Sequence, residues 1–360
     1  MKNLSLRNAI RWPVGVLLSL LPFLFTSCDR RLVQGEEATE LIVEFRIGDE
    51  ALPTRASGVP VSGEGQVNRW ALCVYRLSDG MLAAFGSSSS SSSISKTLPA
   101  GEYRAVALVN APVFGSGFFD PSAFLTEAGL GGQVAFLSDN AAGSLEMYGH
   151  ADFSLERNSV SVPIPVSRLV SKVELRKLSL RLSDAGLAAY PFTLSAVYLD
   201  NVPSRTNWGR DLSYDELWAD RSFWYNAMGW HAAGSCPSPA CPDALLGDQP
   251  AGTVIAQGQS LVTDYVYYTL PNATTDSQDT RSGHWDKRAT RLVIEARIGP
   301  QVQYYVATLP GMARNRSYVI EEAVITGLGA ADPETETPNS LELLFSLADA
   351  GWEDGGTIIL

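Results

Sequence analysis

The sequence predicts a mainly β protein, a sandwich or barrel of many short strands with only brief helical insertions. Three observations carry that prediction. Alternation of apolar and polar residues with a period of two recurs along the chain, and turn signals rich in Gly, Pro, Asn and Asp separate the alternating runs. Stretches with the 3.6-residue period of a helix are scarce. The strand segments, in order, are Leu41–Ile47, Trp70–Leu77, Tyr103–Val109, Ser159–Val166, Leu169–Leu182, Phe192–Leu199, Tyr265–Leu270, Leu292–Ile298, Tyr304–Leu309, Tyr318–Ile325 and Leu341–Leu347. Between them stand Ser78-Asp79-Gly80, Pro99-Ala100-Gly101, Pro271-Asn272, Gly299-Pro300 and Pro310-Gly311, each a recognisable turn former. At 360 residues the chain is long enough for two such sandwiches.

Two places carry helix signals. Pro121 to Ala128 suits one or two turns, and Ser213-Tyr214-Asp215-Glu216 has the Ser-x-x-Glu form of a capping box ahead of Leu217 and Trp218. Gly86 with the seven serines Ser87 to Ser93 is a low-complexity stretch between strands and reads as a mobile loop. It lacks the Gly-x-x-x-x-Gly-Lys pattern of a phosphate cradle. A change of domain is expected near residues 165 to 168, where Pro163 and Pro165 interrupt the alternation before Arg168 opens a new run.

Composition narrows the function. Lys and Arg number 27 against 39 Asp and Glu, a formal charge of −12 that excludes a nucleic-acid binder relying on a basic face. Three His and four Cys leave little material for a metal site or a His-based catalytic centre. There is no Gly-x-Ser-x-Gly elbow and no His-Glu-x-x-His, and Ser93-x-x-Lys96 stands without companion motifs, so the chain reads as a non-enzyme without cofactor. His150, His231 and His284 are isolated.

The N-terminus has the form of an export signal. Lys2, Arg7 and Arg11 precede a non-ionic run of twelve residues, Val14 to Phe25, shorter than the roughly 20 residues a membrane-spanning helix needs. Phe25-Thr26-Ser27-Cys28 resembles the lipobox of bacterial lipoproteins, with Phe25 where Leu is usual; residues 1–27 are then a signal peptide and Cys28 the lipidated residue. Losing that peptide removes only basic charge. Cys73 lies in an apolar run that suits a buried free thiol. Cys236 and Cys241 flank a Pro-rich loop and could close a small disulfide in an oxidising compartment, whereas a zinc knuckle would need ligands beyond the nearby His231.

Two strands at opposite ends of the chain carry the same apolar ladder. Leu41, Val43, Phe45 and Ile47 share one face, with Ile42, Glu44 and Arg46 on the other; Leu341, Leu343, Phe345 and Leu347 share a face opposite Glu342, Leu344 and Ser346. Each has Phe in the third place, so either could fill the same groove. After the first comes Leu52-Pro53-Thr54-Arg55-Ala56-Ser57-Gly58, which reads as an exposed linker open to a trypsin-like cut after Arg55. Such a cut would detach a strand whose apolar side chains are worth about 1.5–3 kcal/mol each, and the emptied groove would recruit a strand from another chain.

The order of several motifs resembles that of the Bacteroidales fimbrillins, the type V pilin family. The most specific stretch is Thr290-Arg291-Leu292-Val293-Ile294-Glu295-Ala296, then Tyr304-Tyr305-Val306, Ala313-Arg314-Asn315-Arg316-Ser317-Tyr318 and Ile325-Thr326-Gly327-Leu328-Gly329. Supporting matches are Arg168 to Leu175, Ala196 to Val202, Thr54-Arg55-Ala56 and Trp352 to Ile358. The resemblance implies two tandem transthyretin-like β-sandwich domains, residues 56–166 and 167–360, preceded by a propeptide, 28–55, that carries the first strand. It also implies anchoring in the outer membrane through lipid on Cys28 and cleavage of Arg55–Ala56 by an Arg-specific protease. The displaced strand is then Leu41, Val43, Phe45 and Ile47. Its replacement comes from a neighbouring fimbrial subunit, with donor candidates at Leu341, Leu343, Phe345 and Leu347 and at the terminal Ile358 and Leu360.

The expected product is a structural subunit of a cell-surface fimbria that supports adhesion. Two alternatives stay open on sequence alone: a tip or accessory adhesin, and a monomeric glycan-binding surface lipoprotein. The segment 207–241 bears on both, because it gathers Trp208, Trp218, Trp224 and Trp230 with Tyr214 and Tyr225. Exposed, these would offer a stacking surface to a host glycan or protein; packed inside, they belong to the second sandwich or a subunit contact.

Overall fold

A computed structural model describes residues 40–47, 63–91, 93–112, 124–218, 224–225, 246–248, 250, 252–274, 289–333, 335–347 and 353–354. Within this set the chain is mainly β, and the sheets group by position in the sequence except for one antiparallel pair, Val134–Phe136 with Arg205–Asn207, which joins the two groups.

The first group runs from β1 (Leu41–Ile47) through β2 (Trp70–Arg76), β3 (Leu82–Ser88), β4 (Ser93–Leu98), β5 (Gly101–Val109), β6 (Val134–Phe136), β7 (Met147–Leu155), β8 (Val160–Ile164) and β9 (Ser167–Arg168). A three-stranded sheet, β4-β1-β8, faces a five-stranded one, β3-β2-β5-β7-β9. Leu41, Val43 and Phe45 of the small sheet and Leu72, Val74, Ala105 and Met147 of the large sheet share one apolar cluster. The large sheet is covered on its other face too, where Cys73, Tyr75, Val106 and Leu108 join the core of the second group. That double coverage explains why β2 is buried at all but its last residue, although its composition alternates only weakly.

The second group comprises β10 (Ser171–Leu180), β11 (Phe192–Asp200), β12 (Val202–Pro203), β13 (Arg205–Asn207), β14 (Trp224–Tyr225), β15 (Gly247–Asp248), β16 (Thr253–Ile255), β17 (Ser260–Thr269), β18 (Arg291–Ile298), β19 (Gln301–Thr308), β20 (Arg316–Ile325), β21 (Leu341–Leu347) and β22 (Glu353–Asp354). One sheet has the order β17-β10-β20-β21, with β22 also on β20; the other has β15-β11-β18-β19, with β16 also on β11. Inward residues of both sheets, among them Val173, Leu194, Ile294, Ile320 and Phe345, form one core. The opening long strand of each group has the same setting. β1 lies between an antiparallel β4 and a parallel β8, and β10 between an antiparallel β17 and a parallel β20.

The groups meet at a buried polar junction. Lys172 Nζ of β10 lies 3.3 Å from Glu64 Oε1, Tyr268 OH donates to the same oxygen at 2.7 Å, and Arg168 Nε donates to the Glu64 carbonyl at 3.2 Å. Burial of this kind is tolerated because each charge finds a partner.

Helices are brief: α1 (Glu127–Gly131), α2 (Ala185–Ala188) and α3 (Tyr214–Trp218). The capping box forms as the sequence anticipates, Ser213 N donating to Glu216 Oε2 at 2.8 Å and Glu216 N donating to Ser213 Oγ at 3.3 Å. The first helix begins later than expected, capped by Thr126 Oγ1 accepting from Gly129 N.

The serine run requires a correction. Gly86, Ser87 and Ser88 belong to β3 and Ser93 to β4, so much of the supposed loop is strand. Glycine suits position 86 because a Cβ there would come within 2.9 Å of Ile94 Cγ2 and 2.7 Å of Lys96 Cε, so these side chains of the next strand would have to move. Pro163 likewise stays inside β8, opposite Arg46, which suits an edge strand that among the described residues pairs only with β1. The chain passes from the first set of sheets to the second between Arg168 and Ser171.

Candidate functional site

The site is the bed of β1. This strand has the limits anticipated from its alternation, and its faces divide as predicted: Leu41, Val43 and Phe45 are buried and Ile47 is half-buried, while Ile42 is 57% exposed. The ladder to β4 runs unbroken from Leu41 opposite Leu98 to Arg46 opposite Ser93. The parallel ladder to β8 runs from Val43 opposite Val160 to Ile47 opposite Ile164. Because β4 and β8 are not paired with each other, β1 alone joins them into a sheet.

Beneath β1 the bed is aromatic. Phe45, fully buried, meets Phe153 edge-on at 5.4 Å between ring centroids, and Phe153 stacks on Tyr103 at 5.5 Å. Tyr103 in turn is fixed by its hydroxyl donating to the Pro99 carbonyl at 2.9 Å. Leu98, Val162 and Ile164 close the two sides. On the outer face Arg46 pairs with Glu44 at 2.7 Å, and this hydrogen bond holds the exposed Glu44 carboxyl below its ordinary range.

The proposed donor, β21, has the same alternation. Leu341, Leu343 and Phe345 point into the core of the second group, while Glu342 and Leu344 are exposed, Leu344 by 58%. It pairs with β20 alone, antiparallel, through a ladder that shifts register between Ile320 and Glu322. It is therefore an edge strand, and among the described residues its other edge pairs with no strand.

Cys28, Arg55, Ala56, Cys236, Cys241, Ile358 and Leu360 lie outside the described residues, and so does the side chain of Leu347. Cys73 is a buried free thiol, its pKa pushed up to about 12 by burial. In the aromatic segment Trp208, Trp224 and Tyr225 are buried, with Trp224 Nε1 donating to the Leu217 carbonyl at 2.9 Å; these three pack the interior and offer no stacking surface. His150 is exposed on β7. Among the described residues no group of three or more His, Cys, Asp or Glu could hold a metal ion.

The residues that line the bed were only partly anticipated. The alternation of Val160, Val162 and Ile164 is visible in the sequence. By contrast, Ile94 and Leu98 sit behind serines and a lysine, and Phe153 lies in a run broken by Gly149, His150 and Asp152. Gly149 is there because a Cβ would fall 1.8 Å from the Pro165 carbonyl oxygen, so β7 needs a glycine where the segment leaving β8 crosses it.

No protein-family model matches the sequence, and no curated protein matches it. Solved structures do. A candidate cell adhesion protein from Bacteroides eggerthii is similar with a TM-score of 0.59 and 15% identity, over 87% of this chain and 96% of that one. Another candidate cell adhesion protein, from Parabacteroides distasonis, is similar with a TM-score of 0.57 and 15% identity, over 90% of this chain and 99% of that one. A fimbrilin from Porphyromonas gingivalis is similar with a TM-score of 0.55 and 12% identity, over 89% of this chain and 98% of that one. The chain thus has a fimbrilin-like β-sandwich fold.

Proposed function

We propose that the chain is a structural, non-enzymatic subunit of a cell-surface fimbria, assembled by exchange of β-strands between copies or with other fimbrial subunits. The observation that carries this reading is the position of β1: it is the middle strand of a three-stranded sheet, and it precedes a segment containing Arg55. Removing it would break two ladders at once and uncover an aromatic floor, leaving a groove with two unpaired edges. A strand with the ladder Leu341, Leu343 and Phe345 would fit the places of Leu41, Val43 and Phe45. Similarity to candidate adhesion proteins and to a fimbrilin supports the same reading.

In this scheme the precursor is exported as a lipoprotein, held in the outer membrane through Cys28, and cut at Arg55–Ala56 by an Arg-specific protease. Glu64, soon after the cut, is tied to Lys172 and Tyr268, so the remaining chain keeps its anchor when β1 leaves. Donor candidates are Leu341–Leu347 and the terminal Ile358 and Leu360. The buried Trp208, Trp224 and Tyr225 weigh against a glycan-binding reading centred on the aromatic segment.

Limited trypsin treatment of the purified chain from Cys28 onward tests this. Loss of residues 28–55 should produce ladders that resist SDS, and Arg55→Ala should abolish them while leaving the melting temperature unchanged. Persistence of a monomer after complete cleavage at Arg55 would overturn the reading.

A further inference from the structure

The alternation of a strand decides which face it buries but not where along a bed it comes to rest. A slip of one residue turns the ladder over, whereas a slip of two keeps every apolar side chain inward. Leu341, Leu343, Phe345 and Leu347 would therefore enter the bed of β1 equally well at several even registers if its places were alike. They are not alike.

On the face of the large sheet that β1 covers, the opposed pairs of β5 and β7 run Tyr103 with Phe153, Ala105 with Ala151, and Ala107 with Gly149. One row is aromatic and the next two are small. Phe45 sets its ring edge-on to Phe153, with 73° between the planes, and Phe153 in turn stacks on Tyr103. At the sides of Phe45 stand Ile94 of β4 and Val162 of β8, directly opposite it on the two ladders and in the same apolar cluster. Val43, two residues earlier, stands between Lys96 and Val160 instead. Ile47, two residues later, has Ile164 on one side and no partner on β4.

We propose, resting on the exchange reading above, that the Tyr103–Phe153 pair fixes the register of the incoming strand by accepting it with an aromatic ring in the third place of its ladder. A ring two residues earlier would have to replace the fully buried Val43, overpacking that place and leaving the aromatic pair without its edge-on partner. A ring two residues later would stand in the half-buried place of Ile47, which β4 does not flank. An aliphatic third residue would fill less of the enclosed place and give up the edge-to-face contact.

This requirement separates the two donor candidates. Leu341–Leu347 offers Phe345 in the third place, and among the described residues that ring meets no other ring in its own core, so transfer to the bed of β1 gains a contact. Residues 353–360 contain no aromatic residue. Trp352, just before them, does not rescue the terminal segment: with Trp352 third in a bed of seven residues, Ile358 would be ninth and outside it. The aromatic pair thus assigns the donor role to Leu341–Leu347.

The test takes the chain from Cys28 onward, cut at Arg55 and freed of trypsin, and measures labelled peptides by fluorescence polarisation. The peptides are residues 40–48, 340–348 and 353–360, the second also with Phe345→Leu and with Leu343→Phe and Phe345→Leu together, which shifts the ring by two. Peptides 40–48 and 340–348 should bind saturably. Phe345→Leu should weaken binding by about tenfold, the shifted ring by at least as much, and 353–360 should bind at least about tenfold more weakly than 340–348. In a chain carrying Phe153→Leu the penalty for Phe345→Leu should shrink by about threefold or more, a coupling that a general loss of stability would not produce. Binding of 340–348 no tighter than that of its ring-shifted form or of 353–360, or an undiminished penalty in Phe153→Leu, would overturn the register role while leaving strand exchange standing. Failure of every peptide to bind, 40–48 included, would overturn the exchange reading and the register role with it.

Discussion

β1 and β21 present the same ladder to two different cores and are held there in different ways. β1 is paired on both edges, along unbroken ladders, over an aromatic floor. β21 is paired on one edge, across a register shift, and its buried Phe345 keeps 8% of its surface in solvent where Phe45 keeps none. A strand that exchanges must leave one bed and enter another. The difference implies a direction: the single-ladder strand is the cheaper to release, and the double-ladder bed is the more rewarding to fill. In the proposed exchange, a cut at Arg55 would free β1 from its covalent connection to the rest of the chain and so act as the trigger.

The sharpest way to break this comparison is to remove the equivalent ring from each strand. Phe→Ala in a core costs about 3–5 kcal/mol, and Phe45→Ala should destabilise the uncut chain towards the high end because its ring is fully enclosed, Phe345→Ala towards the low end because its site can admit water. Urea unfolding of the two variants measures both. A larger loss at Phe345 would reverse the proposed direction of exchange.

A smaller effect is expected from writing the β21 sequence into β1. The inward changes are only Val43→Leu and Ile47→Leu, while Ile42→Glu, Glu44→Leu and Arg46→Ser fall on the outer face. Overpacking at the enclosed Val43 should cost about 1–3 kcal/mol; the exposed Arg46–Glu44 pair is screened by solvent and its loss should matter little. A folded, monomeric chimera with a modestly lower urea midpoint would establish that the two ladders are interchangeable, and failure to fold would show that the resemblance is only one of alternation.

How much of this was legible in the residues follows from the physics of a strand. Both strands were delimited correctly, Leu41–Ile47 and Leu341–Leu347, because a half-buried strand writes its burial into the sequence every second residue. What distinguishes them, a middle position against an edge, depends on which backbone lies alongside, and hydrogen bonds between main chains leave no mark on side-chain alternation. β8 was visible as a strand, yet nothing in Val160 to Ile164 says that it pairs parallel to β1. β3 and β4 were hidden because serine has little strand preference and Gly86 serves a contact with Ile94 and Lys96.

The mildest test concerns the charge beside the β21 edge. Glu322 of β20, at the register shift opposite Leu344, accepts from Ser179 Oγ at 2.5 Å and pairs with Lys177 at 2.9 Å and Arg181 at 3.1 Å. The Ser179 hydrogen bond, with the two cations, holds its carboxyl below the ordinary range. A depressed carboxylate stabilises the fold above its unfolded pKa, and that contribution fades as the pH falls through the lower folded value. Glu322→Gln should therefore cost about 1–2 kcal/mol at pH 7 and progressively less as the pH drops below about 4. Hydrogen exchange should localise the loss to β20 and β21, with the amides of β1 unchanged. An equal rise in β1 exchange would mean that the two beds open together, and the distinction between the edge strand and the central one would no longer describe how the molecule comes apart.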